Sequence, residues 1–152
     1  ILVRDIFLET ALQEKEHAKR LFKFLEGGEV EITAAYPAGV ISGSENNLRA
    51  AAEGEHHEHT EMYPAFAAMA EKEGFAEIAA VLRQIAVAEA YHEKRFLALA
   101  KAIREGSMFV RTQETTWRCL NCGCLVTGKT APEICPACAH PQSYFEELYF
   151  KF

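Results

Sequence analysis

The sequence predicts a mostly α-helical protein: a helical bundle followed by a small β-strand and loop unit that holds a metal through cysteines. Three observations predict it. Apolar residues recur at three- and four-residue steps along three long stretches before residue 107. Each stretch carries a pair of metal-ligating residue types three positions apart, near its middle. All five cysteines then fall between Cys119 and Cys138.

The first helix is expected from about Val3 to Glu26, with Gly27-Gly28 as its C-cap. A loop with Pro37, Gly39, Ser42 and Gly43 follows. Ser42-Gly-Ser-Glu45 reads as a capping box opening a second helix, which runs to about Lys72 with a bend at Pro64. Gly74 ends that pattern, and a third helix spans about Ala76 to Arg104 before Gly106. Residues 1–106 thus form the helical domain. Residues 107–116 are a linker or the start of a strand, and residues 117–152 are the cysteine-rich unit. That unit is too short to fold on an apolar core alone.

The net charge of −6 and a pI near 5.5 argue against nucleic-acid binding, and no basic stripe offsets them. No apolar run approaches the ~20 residues that span a membrane. Ile1-Leu-Val-Arg-Asp5 runs directly into an amphipathic pattern, without a secretory signal. A cytoplasmic, reducing compartment is therefore expected.

The ligand pairs are Glu14-x-x-His17, Glu55-His-His-Glu58 and Glu89-x-x-His92. In a helix, residues three apart share a face. The first stripe reads Phe7, Ala11, Glu14, His17, Leu21, Phe24. The second reads Leu48, Ala52, Glu55, Glu58, Met62, Phe66, Met69, and the third Ile78, Leu82, Ile85, Glu89, His92, Phe96, Leu99, Ile103. Each pair interrupts an apolar stripe, so each faces the core. Four clustered carboxylates repel one another and raise each other's pKa. Two divalent cations would neutralise them, and oxygen with imidazole ligands in a bundle core suits iron or manganese. The competing reading makes these groups surface residues, or core groups satisfied by Arg20, Arg83 or Arg95. His56, His57, His59, Glu53 and Glu61 fall mostly off the stripe and read as solvated or supporting. Tyr63, beyond Glu58, is either a hydrogen-bond donor to a ligand carboxylate or a packing residue.

Cys119-Leu-Asn-Cys122 and Cys135-Pro-Ala-Cys138 are two C-x-x-C pairs twelve residues apart. Each forms a knuckle aiming two thiolates at one metal. Spacing does not separate structural zinc from a single redox iron. Cys124 is left over and is expected to pack as a small apolar side chain.

Taken in order, these motifs resemble rubrerythrin: ferritin-like helices bearing Glu14-x-x-His17, Glu55-His-His-Glu58 and Glu89-x-x-His92, then a rubredoxin-like Trp117-Arg-Cys119-x-x-Cys122-Gly…Cys135-Pro-x-Cys138. The resemblance covers essentially the whole chain. It implies a non-haem di-iron centre and one Fe bound by four Cys, with zinc possible in either site. It implies a peroxidase that reduces hydrogen peroxide to water in oxidative-stress defence. The electrons would come from reduced pyridine nucleotide through a separate rubredoxin or reductase. Glu14 and Glu89 would bridge the irons, and Glu55 and Glu58 would be terminal ligands. His92 would bind one iron and His17 the other, trading places with Glu58. Tyr63 matches a family tyrosine near that site. The family implies a homodimer or larger homo-oligomer in which tail and di-iron site meet between copies.

The family's bundle has four helices, the first supplying another glutamate and a tyrosine; this sequence shows three. We expect that helix from an N-terminal segment preceding Ile1 or from a partner chain. Two further readings share these residues: a ferroxidase or oxygen-reducing di-iron protein, and a non-catalytic zinc-ribbon scaffold.

Overall fold

A computed structural model describes residues 1–148. They divide into two compact units: Thr10–Ala100, and Ile1–Glu9 together with the chain from Lys101 onward. Helix α1 spans Leu2–Phe22, α2 Ser44–His57, α3 Tyr63–Lys72 and α4 Ala76–Arg104. Among the described residues, none of these helices is long and apolar enough to cross a membrane.

Helix α1 stops four residues short of expectation. Phe24 and Leu25 N–H groups bond the carbonyls three residues back, the tighter turn by which helices fray. Gly27 and Gly28 lie beyond, both at positive φ. The expected capping box does not form. Gly43 is the N-cap of α2, without a side-chain cap. Asn47 competes for Ser42 instead: its Oδ1 accepts the Ser42 N–H and its Nδ2 donates to the Ser42 carbonyl, both at 2.8 Å. The two glycine stops behave as expected. Gly74 (φ 90°) and Gly106 (φ 64°) each end a helix in a Schellman motif, with Phe75 N–H on the Ala70 carbonyl and Ser107 N–H on that of Ala102.

Between α2 and α3 the helix continues through a π-turn, Glu58–Met62. The Tyr63 N–H reaches back five residues to the Glu58 carbonyl. Thr60 Oγ1 donates to the His56 carbonyl at 2.6 Å, a side-chain bond back along the same turn. Pro64, in the first turn of α3, has no N–H to continue the four-residue ladder. The expected bend is thus a widened turn just before the proline.

The extra residue corrects the second stripe. Leu48, Ala52 and Glu55 are buried as expected, but past the π-turn the buried set is Tyr63, Ala67 and Ala70. Phe66 and Met69 are more than half exposed. One inserted residue advances a helix by about 100°, which carries the buried face one position along. Ala11 in α1 is likewise exposed, and Thr10 is buried in its place. Tyr63, Ala67 and Ala70 pack with Ala79, Leu82 and Ile85 of α4, flanked by Leu21, Ile78 and Val81.

The cysteine-bearing unit contains a three-stranded antiparallel sheet in the order β2-β1-β3, with β1 Val110–Cys119, β2 Leu125–Thr130 and β3 Phe145–Glu147. Strand β1 takes in residues 110–116, irregular between Val110 and Thr115. Trp117 and Phe145 are fully buried with Cys119, Cys135 and Ala131, and Trp117 Nε1 donates to the Gly128 carbonyl.

Candidate metal centres

Donor atoms from Glu14 (α1), Glu55 (α2), Glu89 and His92 (α4) lie within 4.8 Å of one another. Glu89 is fully buried and Glu55 nearly so, while Glu14 is half-buried. His92 Nδ1 sits 2.9 Å from Glu89 Oε2, 3.1 Å from Glu14 Oε1 and 3.6 Å from Glu55 Oε2. His17 joins through Nδ1, 3.0 Å from Glu89 Oε1 and 3.2 Å from Glu14 Oε2. Glu58, in the π-turn, is half-buried, and the charges of Glu14 and His17 act on its carboxyl. Tyr63 is buried, in the field of the same four glutamates.

Burial sets the protonation of this group. It pushes Glu89 up to about 9, helped by Glu14 and Glu55, and Glu55 up to about 8, helped by Glu14 and Glu58. Burial raises Glu58 in the same way, holds the Tyr63 phenol protonated and lowers His92. Glu55 Oε2, both oxygens of Glu89, Glu14 Oε1 and His92 Nδ1 are buried and make no hydrogen bond. Such atoms are costly unless something coordinates them. The arginines do not do so at Glu89: Arg20 pairs with Glu77 and Arg83 with Glu71, both exposed, and Arg95 Nη2 donates to Thr10 Oγ1 at 2.5 Å. Orphaned carboxylate oxygens around a bare imidazole nitrogen, with four acidic groups in reach, are the donor set of two divalent cations.

Residues off the stripe also act here. The side-chain carbonyl of Gln13 accepts the His92 Nε2–H at 2.9 Å, which leaves Nδ1 facing the carboxylates. Gln13 has a sequence signal only in hindsight: it neighbours Glu14 in α1. His57 forms an exposed pair with Glu61, whereas His56 and His59 both contact Glu93, a residue the stripe pattern does not single out.

The four cysteines converge as expected. Sγ atoms of Cys119 and Cys138 lie 3.7 Å apart, as do those of Cys122 and Cys135. All are free thiols, and this spacing is far beyond a disulfide bond. A tetrahedral ion with sulfur bonds of about 2.3 Å holds its thiolates about 3.8 Å apart. The two knuckles repeat each other. In each, the residue after the second cysteine has positive φ, Gly123 at 76° and Ala139 at 57°. Its N–H bonds the first cysteine's carbonyl, while the first cysteine's N–H bonds the carbonyl of Cys124 or His140. The His140 N–H draws the Cys138 thiol down. At Cys122 the Cys124 N–H acts downward too, but hydrogen bonds among the sulfurs and desolvation outweigh it and push that thiol up. Cys124 packs half-buried against the small core.

Fold and donors together define a helical non-haem di-iron protein with a rubredoxin-like four-cysteine metal unit. The family model described as Rubrerythrin matches residues 1–100, and that described as Rubrerythrin, rubredoxin-like domain matches residues 117–146. The chain belongs to the rubrerythrin family. It is 62% identical to a rubrerythrin of Nitratidesulfovibrio vulgaris over 97% of this chain and 78% of that protein. It is 61% identical to one of Porphyromonas gingivalis over 96% of this chain and 73% of that protein. Among solved structures, nigerythrin in a partially reduced state superposes with a TM-score of 0.55 at 29% identity, over 94% of this chain and 68% of that one.

Proposed function

We propose that this oxidoreductase is a peroxidase that reduces hydrogen peroxide to water in oxidative-stress defence. The observation that carries the reading is the pairing, in one chain, of an orphaned carboxylate–imidazole cluster with a four-cysteine metal unit. In this scheme Glu14 and Glu89 would be shared by two irons, Glu55 and Glu58 would each serve one, and His92 and His17 would hold one iron each, His17 in exchange with Glu58. When bound, such a diferrous pair would supply the two electrons that peroxide reduction needs. The residues do the rest. Gln13 keeps His92 Nδ1 aimed inward. Burial keeps bulk water from Glu89. Tyr63 keeps an O–H in the cluster's wall, where two protons per peroxide are consumed.

Cys119, Cys122, Cys135 and Cys138 would hold one iron that supplies electrons singly, because four thiolates fit ferrous or ferric iron with little rearrangement. A separate electron-carrier protein feeds that unit, and the protein works as a homodimer or larger assembly. The test is steady-state turnover of the iron-loaded, reduced protein with peroxide and, separately, with dioxygen. Faster turnover of peroxide, lost in Glu89→Ala, is expected. Preference for dioxygen would favour an oxidase or ferroxidase, and a colourless, redox-silent four-cysteine unit would indicate zinc there.

A further inference from the structure

On the outer face of the same two helical segments lies a second cluster: His56 at the end of α2, His59 in the π-turn, and Glu93 on α4. His59 Nε2 is 2.6 Å from Glu93 Oε2, and His56 Nδ1 is 3.0 Å from Glu93 Oε1. The two imidazole rings stand edge to face with centroids 5.3 Å apart. The three donors lie within 4.8 Å of one another. His56 is open to solvent, while His59 and Glu93 are about one-fifth exposed, so an ion can enter without the helices parting. Arg49 and Glu53 line the adjoining groove, and their opposite charges offset each other.

We propose that His56, His59 and Glu93 form a separate binding site for one borderline divalent cation, of which Zn²⁺ is the type. Two imidazoles and a carboxylate are the donor set such ions take, with water completing the coordination. Zinc bonds of about 2.0–2.2 Å separate neighbouring tetrahedral donors by about 3.3–3.6 Å. The two contacts to Glu93 therefore open by about 1 Å or less, a small side-chain shift of exposed His56 and half-buried His59. The site lies about 100° around the helices from the buried one, one residue on. Its residues alternate along the chain with Glu55, Glu58 and His92, each one position further on. An ion here ties the π-turn to α4 from outside, where Glu58 and His92 face inward. This inference does not depend on the peroxidase reading.

The test uses tag-free, fully iron-loaded, oxidised protein, so that the buried site and the four cysteines are already filled. It is equilibrated with Zn²⁺ and desalted, and zinc and iron are counted per chain. One added zinc with iron unchanged is expected. His56→Gln, chosen because His56 is exposed, should weaken zinc binding by at least the roughly 10–100-fold typical of losing a ligand's supporting partner. His59→Gln should do the same. Unchanged helical circular dichroism serves as the folding control. Failure to retain zinc, equal retention by both variants, or zinc gained only as iron is lost would each overturn the proposal.

Discussion

Gln13 and His92 are 79 positions apart in sequence, yet the side-chain carbonyl of the first holds the Nε2–H of the second at 2.9 Å. That bond selects the tautomer with Nδ1 bare. Gln13→Leu removes the acceptor without touching a ligand. Affinity of the buried site should fall by about 10–100-fold, measured by metal competition, while helical content stays unchanged. An unaltered affinity would mean that packing alone fixes the ring.

Metal removal should make the helical unit sensitive to alkali. Glu55 and Glu89 have folded-state values of about 8 and 9, above the unfolded carboxylate range. Between those limits the folded chain keeps protons that the unfolded chain has lost. Stability then falls as pH rises. His92, lowered by burial, works the other way below its ordinary value, so the clean window is pH 7 to 9. Denaturant midpoints of the helical transition, with the cysteine-bound metal left in place, should drop across that window when the buried site is stripped. They should stay level when it is loaded. Loading near neutral pH should also release protons, detectable by calorimetry in buffers of different ionisation enthalpy.

The chain has a single tryptophan, and Trp117 is fully buried beside Cys119 and Cys135. Cys135→Ser should cost the metal and shift Trp117 emission to longer wavelength, because this small core depends on the ion. Native-like emission after metal loss would show that the core stands without it.

Gly123 offers a milder test of the same unit. Nothing lies within 4 Å of the position a Cβ would occupy, so any cost is conformational. Gly123→Ala should destabilise the unit by about 1–2 kcal/mol with metal stoichiometry retained, read from its thermal midpoint.

The shifted helix face predicts an unequal pair of substitutions. Phe66→Ser, at an exposed site, should change stability by no more than about 0.5 kcal/mol. Ala67→Leu, one residue along and buried, should cost about 1–3 kcal/mol through overpacking. The reverse order would restore an uninterrupted α-helix there.

Much of this architecture is legible in sequence because the ligand pairs sit three residues apart on stripes that hold their phase. Glu14, Glu55, Glu89 and His92 meet for that reason, and the four cysteines meet because each C-x-x-C closes its own knuckle. The rest is hidden for reasons of equal simplicity. A constant 3.6-residue period cannot register an inserted residue, so it places Phe66 and Met69 inside. The capping box ignores Asn47, whose amide takes over Ser42's backbone. Glu93 reads as an ordinary helix carboxylate until α4 lies against α2 and the π-turn. Gln13 gains its meaning only from a histidine on another helix.

The π-turn also divides the labour along one continuous helix. Glu55, before it, faces the carboxylate cluster, and Ala67 and Ala70, after it, face an apolar neighbour, with the phase between them set by a single added residue. Changes in residues 64–72 can therefore retune packing and leave the carboxylate wall at Glu55 undisturbed. Substitutions on either side of Thr60 should accordingly sort into two groups, metal retention upstream and thermal stability downstream. One helix thus holds two modules that can drift independently.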